Sequence, residues 1–233
     1  MTINWVEITE ESLEHYESAM KLYDQAFPIE VREPHQTFLR GLQYTKRPNN
    51  YHFLVGLKGN QLASFATGHY FAKINAGFIV YIVTNPEIRN KGLGSKTLLK
   101  IEELLNKDAL LAGNSTMKAI FLETETPEVV HTEKEKQDCL KRYQFFSRNG
   151  YEKCDEIPYL QPALHDEMGD IPLDLFIKNL DINKRSKDEI KNAIVTIYKE
   201  KYQLVNGIDK SIIDNWLKKM EIEVKRGMVL PFI

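Results

Sequence analysis

The chain has 233 residues, 42% hydrophobic and 27% charged, with a formal net charge of −2 and a pI near 6.3. This composition suits a soluble globular protein with room for a substantial core, and it lacks the basic excess of most nucleic-acid binders. Two cysteines without C-x-x-C spacing argue against a disulfide scaffold or a zinc site. The absence of a long apolar run and of a signal pattern sets a cytoplasmic, membrane-free expectation, with no metal.

In chain order, "ITEESLEHYESAMKLYDQAF" predicts a first helix. Leu13, Tyr16, Met20, Tyr23 and Phe27 share one face, and Thr9 is available as a cap. "TFLRGLQYT" reads as a shorter helix. "YHFLVGLKGNQLASFATGHYFA" is two strands turning at Lys58-Gly59-Asn60. "NAGFIVYIVTNPE" is a strand apolar on both faces between Phe78 and Val83, so both faces should be covered. "SKTLLKIEELLNKDALL" predicts a helix with Leu98, Ile101 and Leu105 inward, and "KAIFLETET" another buried strand.

The next helix starts with Thr132 and Glu135 at capping-box spacing, carries Cys139, Tyr143 and Phe146 on one side, and stops at Gly150. "YEKCDEIPYLQPAL" and "IPLDLFIKNL" give the last two strands. From "DINKRSKDE" the pattern becomes helical, so residues 181–233 read as a helical extension packed on a main domain of residues 1–180. Its Ile194, Ile197, Tyr198, Ile212, Ile213 and Trp216 could pack on the protein's own sheet or serve a homodimer or partner.

"EIRNKGLGSK", residues 87–96, joins an apolar strand to a helix through two glycines among three cations. It fits neither a P-loop nor a dinucleotide fingerprint, whose third glycine would fall at Thr97. The physics of those motifs remains: free amides at a helix start, small residues and positive charge make an anion site suited to a pyrophosphate.

The order strand, Asn-Pro-Glu, Arg89-Asn90-Lys91-Gly92-Leu93-Gly94, Leu-rich helix closely resembles the acetyl-CoA motif of the GCN5-related N-acetyltransferases, the GNAT family, with its R/Q-x-x-G-x-G/A signature. "YQFFSRNGYEK" resembles a second family segment. Together they place about residues 3–180 in the resemblance.

The resemblance implies an α+β acyl-CoA N-acyltransferase fold: a mostly antiparallel, splayed sheet of six to seven strands flanked by helices. It implies acetyl-CoA as cosubstrate, no metal, and direct attack of a primary amine of a small molecule or peptide within a ternary complex. The pyrophosphate would lie on amides from Asn90 to Ser95, with Arg89 and Lys91 adding charge. The pantetheine arm would pair with Ile82, Val83 and Thr84, and an amide near Ile82 or Val83 would face the thioester oxygen. Such a donor is worth about 3 kcal/mol.

Two positions depart from the family pattern. Val80 stands where many relatives carry a glutamate, so a base must come from elsewhere: Glu125 first, then Glu123, which share a strand face, with Glu30 and His69 as further candidates. Phe146 stands where a tyrosine acid is usual; Tyr143, one turn earlier, is the nearest substitute, with Ser147 and Tyr151 as neighbours. These departures keep a second hypothesis open, a CoA-binding sensor or partner-binding protein with little turnover.

Overall fold

The computed structural model describes residues 2–27, 29, 32–45, 48–88, 92–164 and 171–222. In order, the elements are β1 (Asn4–Ile8), α1 (Tyr16–Ala26), α2 (His35–Gln43), β2 (Asn50–Lys58), β3 (Gln61–Phe71), β4 (Ala76–Thr84), α3 (Leu93–Leu111), β5 (Ala119–Glu125), α4 (Glu133–Arg148), β6 (Glu152–Lys153), β7 (Leu160–Gln161), β8 (Ile171–Asn179), α5 (Lys187–Ile197), a π-helical segment (Tyr198–Val205) and α6 (Lys210–Lys219). The sheet runs β1-β2-β3-β4-β5-β8-β6, with β7 pairing on β8. Every pair is antiparallel except β4–β5.

Each face of the sheet is covered, as the two-sided apolar run of β4 requires. On one face α1 and α2 pack over β1–β4 through Tyr16, Met20, Tyr23 and Phe38 against Phe53, Phe65 and Tyr81. Beside them α5, the π-helical segment and α6 cover β4, β5 and β8 through Ile194, Ile197, Tyr198, Tyr202, Ile213 and Leu217. On the opposite face α3 and α4 bury Leu98, Ile101, Leu105 and Phe146 against Ala66, Ile79, Ile120 and Leu122. Among the described residues no helix is long and apolar enough to cross a membrane, and no three metal-ligating side chains cluster. Both cysteines are free.

Several sequence expectations change. Strand β1 was not predicted. Helix α1 begins at Tyr16 rather than near Thr9, because Thr9 and Ser12 form an isolated bridge and the chain enters the helix through His15 at φ 69°. Leu13 is consequently 47% exposed. The strand expected across "YEKCDEIPYLQPAL" is two separate two-residue strands, β6 and β7; Pro158 and Pro162 deny it ladder donors. Five of the six apolar residues weighed for a partner surface are buried in this chain's own core, and only Ile212 is exposed. The end of the expected C-terminal helix, from residue 223, lies outside the described residues.

Candidate active site

Strand β4 separates from β5 part-way along. Their parallel ladder runs only from Ala76↔Ala119 to Ile79↔Leu122. On its other edge β4 stays paired with β3 as far as Thr84, with one irregularity: Tyr81 faces Thr67 and Ile79 faces Gly68, so Val80 is an extra residue in β4. This bulge resets the alternation. Phe78 points to the face covered by the C-terminal helices, and Tyr81 and Val83 point to that same face under α1 and α2. Such a bulge bends and twists its strand, consistent with the loss of pairing to β5. Beyond Ile79, the main chain of Val80, Tyr81, Ile82, Val83 and Thr84 has an edge without a β5 partner, the edge to which the pantetheine expectation assigned Ile82, Val83 and Thr84.

The open edge leads into the N-terminus of α3. Gly92 caps this helix at φ 87°, a left-handed conformation that glycine adopts without a side-chain penalty. A Cβ built there meets nothing within 4 Å. No side chain caps the helix among the described residues, and the first helical bond is Lys96 N–H to Gly92 O, 3.0 Å. The amides of Leu93, Gly94 and Ser95 thus form the start of a 19-residue helix whose dipole favours an anion.

Gly94 has a different role. A Cβ there would lie 3.1 Å from the Phe145 ring and 3.9 Å from Thr84, so its missing side chain lets α4 and the end of β4 approach α3. Leu93 is buried with Ala63 and Ile88, anchoring the turn. Arg89, Asn90 and Lys91, expected beside the phosphates, lie outside the described residues, as does Glu30. The geometry that is described fits a diphosphate and an extended amide-bearing arm: uncapped amides, open space at Gly92 and a free strand edge in continuity.

The two β5 carboxylates differ sharply. Glu125 ends the strand and pairs with Arg142 of α4, whose guanidinium also reaches Cys139 Sγ at 3.0 Å. Glu123 is the first β5 residue past the ladder, across the fork from Val80. Its Oε1 accepts from Gln161 Nε2 at 2.7 Å and from the Tyr202 hydroxyl. Oε2 is shielded from solvent and has no hydrogen-bond partner of normal geometry. Burial raises the Glu123 pKa, against the lowering effect of the Tyr159, Tyr202 and Gln161 side chains and of the Lys201 charge. Burial likewise holds the Tyr159 and Tyr202 pKa values well above the ordinary phenol value, so both remain donors toward this carboxylate.

The tyrosine expected to replace the missing acid is engaged elsewhere. Tyr143 donates to Asp174 of β8, and its ring lies edge-on to Phe176. Tyr151 is buried and donates to Glu102 at 2.7 Å. Phe146 packs against Phe145, Tyr151 and Phe176.

The C-terminal segment supplies residues that sequence reasoning missed. Lys201 is 1% exposed and forms an ion pair with Glu33, which lies just before α2; Asn206 closes the group, accepting from Lys201 at 2.7 Å and donating to Glu33 at 3.0 Å. Tyr44 and Asn49 hold Glu200, and Arg40 reaches Asn206 O at 3.3 Å. Tyr23 accepts from the Glu33 amide at 2.6 Å and lies 3.1 Å from the Tyr81 hydroxyl. His69 is 1% exposed, stacks on Phe71 at 5.6 Å, and keeps an unpartnered Nε2. Burial, then the Lys201 and His52 charges, hold its pKa well below the ordinary value, so it is neutral. The Lys201 charge acts on the ionisation of both His69 and Glu123. The apolar stripe Ile194, Ile197, Tyr198, Tyr202, Val205 contains Lys201 in phase, a spacing that marks a buried lysine needing a partner.

The sequence model of the acetyltransferase (GNAT) family matches residues 16–127. Residues 16–127 are thus similar to the acetyltransferase domain of the GNAT family, and the chain shares the fold of solved structures of that family. No curated protein matches it significantly.

Among solved structures, a GNAT-family protein from Bacteroides thetaiotaomicron superposes with a TM-score of 0.64 at 22% identity, over 89% of this chain and 100% of its own. An acetyltransferase of the family from Staphylococcus aureus (TM-score 0.52, 16% identity, 77% of this chain and 100% of its own) and a family protein from Desulfovibrio desulfuricans (0.52, 15%, 77% and 100%) share the fold. Acyl-CoA-dependent acetyl transfer is the activity of the family matched at residues 16–127. A surface cavity of about 290 Å³ among Lys73, Lys118 and Arg185 opens at the far end of the β4–β5 pair.

Proposed function

We propose that the protein is an N-acetyltransferase that moves an acetyl group from acetyl-CoA to a primary amine, with both substrates bound together. Residues 1–180 carry the chemistry, and the extension from residue 181 walls the acceptor side. The observation that carries this reading is the continuity between the unpaired edge of β4 and the uncapped start of α3, across which a buried carboxylate, Glu123, stands.

Acetyl-CoA supplies the acyl thioester. The amides of Leu93, Gly94 and Ser95 hold its diphosphate, and Ile82, Val83 and Thr84 offer main-chain groups to the pantetheine arm. An amide near Ile82 or Val83 donates toward the thioester oxygen, a contribution of about 3 kcal/mol.

A lysine-like amine with a pKa of ~10.4 is neutral in only about one molecule in 2,500 at pH 7. Glu123 takes the amine's proton as the C–N bond forms and the C–S bond breaks. Its raised pKa suits a general base, whereas Glu125 is held in an ion pair with Arg142. Glu123 therefore ranks first, supplying from β5 the carboxylate that Val80 does not supply from β4. With Tyr143 committed to Asp174 and no proton on Phe146, CoA leaves as its thiolate, which a thiol of pKa near ~8.5 permits at neutral pH.

The test is calorimetric titration with CoA followed by thiol release from acetyl-CoA over a panel of amines. Micromolar binding with release from at least one amine supports the reading. Tight binding without release favours the second reading, a CoA-binding sensor, to which the packed Phe146 ring gives its one specific support.

A further inference from the structure

We propose that the cavity at the closed end of the β4–β5 pair is a second binding site, for a small carboxylate with an apolar body, and that it fills independently of the cofactor cleft. None of its lining residues belongs to that cleft, so the proposal stands apart from the acetyl-transfer reading.

The walls are fixed before any ligand arrives. On one side Asn75 holds the β3–β4 turn at φ 47°. Its Oδ1 accepts from the Tyr70 hydroxyl at 2.9 Å, its Nδ2 donates to Thr116 O at 2.8 Å, and its carbonyl accepts from the Lys118 amide at 2.9 Å. On the other side Arg185, its side chain 9% exposed, is held by Asp181, by Glu189 at 2.8 Å and by Asn183 O at 2.8 Å. Alanines at 72, 76, 119 and 193 leave the recess of about 290 Å³ between these walls, beside Phe121. That volume is at the small end of preformed ligand sites, which suits a body such as one aromatic ring.

Charge selects an anion. Arg185 is answered by Asp181 and Glu189. Bonds from Ser186, then the Arg185 and Lys118 charges, hold the Glu189 carboxyl below its ordinary range, so it stays ionised. Lys73 and Lys118 stand exposed at the rim, and neither forms a contact ion pair among the described residues. Three cations thus meet two carboxylates, and one positive charge is left over. The two ammonium groups that carry it can only donate, so the matching ligand brings an acceptor with a single negative charge.

The main chain separates a carboxylate from a phosphate. Phosphate sites gather free amides at helix starts and turns. Here the Ile74 amide bonds Phe71 O, the Asn75 amide bonds Ala72 O, the Lys118 amide bonds Asn75 O, and α5 is closed by its own Ser186–Glu189 capping box. A carboxylate on a hydrocarbon body uses the two rim ammoniums and the alanine-lined recess together. Phosphate carries more charge than the rim offers and has nothing to place in the recess.

Position makes the two sites compatible. Ala76 and Ala119 form the first rung of the β4–β5 ladder, and the fork opens only beyond Ile79 and Leu122. The carboxylate and CoA therefore occupy opposite ends of one strand pair.

The experiment titrates the full chain, CoA-free and CoA-loaded, with benzoate, benzamide and inorganic phosphate by calorimetry. Benzoate is expected to bind both forms with millimolar or better affinity, at least tenfold tighter than benzamide or phosphate. Replacing both rim lysines, Lys73→Met with Lys118→Met, should weaken benzoate at least tenfold, about 1.4 kcal/mol, within the reach of two ion pairs at a rim. Both side chains are exposed, so the double variant should keep its fold and its CoA affinity, which serve as its controls. Benzoate that does not bind at millimolar concentration, binds no better than benzamide or phosphate, is displaced by CoA, or is held as tightly by the double variant overturns the proposal. Failure of the chain to bind CoA bears on the proposed function alone, and the CoA-free titration still decides this one.

Discussion

Replacing Glu123 with glutamine separates a catalytic carboxylate from a structural one, because the two roles predict opposite movements. The substitution keeps an oxygen to accept from Gln161 and Tyr202 and removes the charge. If Glu123 takes the amine proton, turnover falls ~100- to 10,000-fold, the usual span for a general base. Stability follows a different sign. Burial raises the folded-state pKa, so the folded protein binds this proton more tightly than the unfolded chain, and the ionised form costs stability as pH rises above the ordinary carboxylate range. Glutamine removes that cost and keeps the shape of the side chain. The net change at pH 7.5 should lie within about 1 kcal/mol of zero, a few degrees in Tm at most for a chain of this size. The pH profile adds a third readout: wild-type kcat/KM declines as pH falls through the raised Glu123 pKa, and the variant's residual rate loses that limb. Thiol-release kinetics from pH 5.5 to 8.5, with thermal unfolding on the same samples, measure all three. Wild-type turnover in Glu123→Gln, or a stability loss of several kcal/mol, would refute the reasoning.

The remaining predictions concern the cofactor turn and two buried charge groups. Gly92→Val should weaken CoA binding at least tenfold by calorimetry, since it adds bulk at the turn that starts α3, and it should lose about 1–2 kcal/mol of stability from the left-handed φ of 87°. His52 bridges Glu7 and Asp108 at 2.6 and 2.7 Å. Burial lowers its pKa, but these bonds outweigh burial and raise it to about 9. Its contribution, at most about 3 kcal/mol, is full below the unfolded pKa of ~6.5 and is lost as pH rises toward 9. Tm should fall over that window in the wild type, and His52→Gln should flatten the slope. Lys201→Met should cost about 3–5 kcal/mol in denaturant unfolding by stranding Glu33, and adding Glu33→Gln should recover much of it.

What the sequence revealed followed from short-range rules. The β2–β3 hairpin, the two-sided β4, and the inward face of α3 came from apolar periodicity, and the α4 capping box is present as read at Thr132 and Glu135. β1 escaped because Trp5, Val6 and Ile8 in a five-residue edge strand give too little pattern to distinguish it. The α1 boundary failed because Thr9 and the following glutamates resemble a cap while actually forming a turn. In the site, alternation put Glu123 and Glu125 on one face, but Glu123 bonds the C-terminal π-helical segment and Glu125 bonds α4. Their partners, Tyr202 and Arg142, come from other elements, 79 and 17 residues away. Tyr143 has the right chemistry for an acid, yet its distance from a free position depended on Asp174 of β8, invisible from the helix alone.

A crystal structure of the chain with CoA tests the central claim most directly. The diphosphate should sit within hydrogen-bond distance of the Leu93, Gly94 and Ser95 amides, with the pantetheine arm along Ile82–Thr84 and the thiol end approaching Glu123. CoA bound away from the α3 N-terminus, or no binding at millimolar concentration, would contradict it.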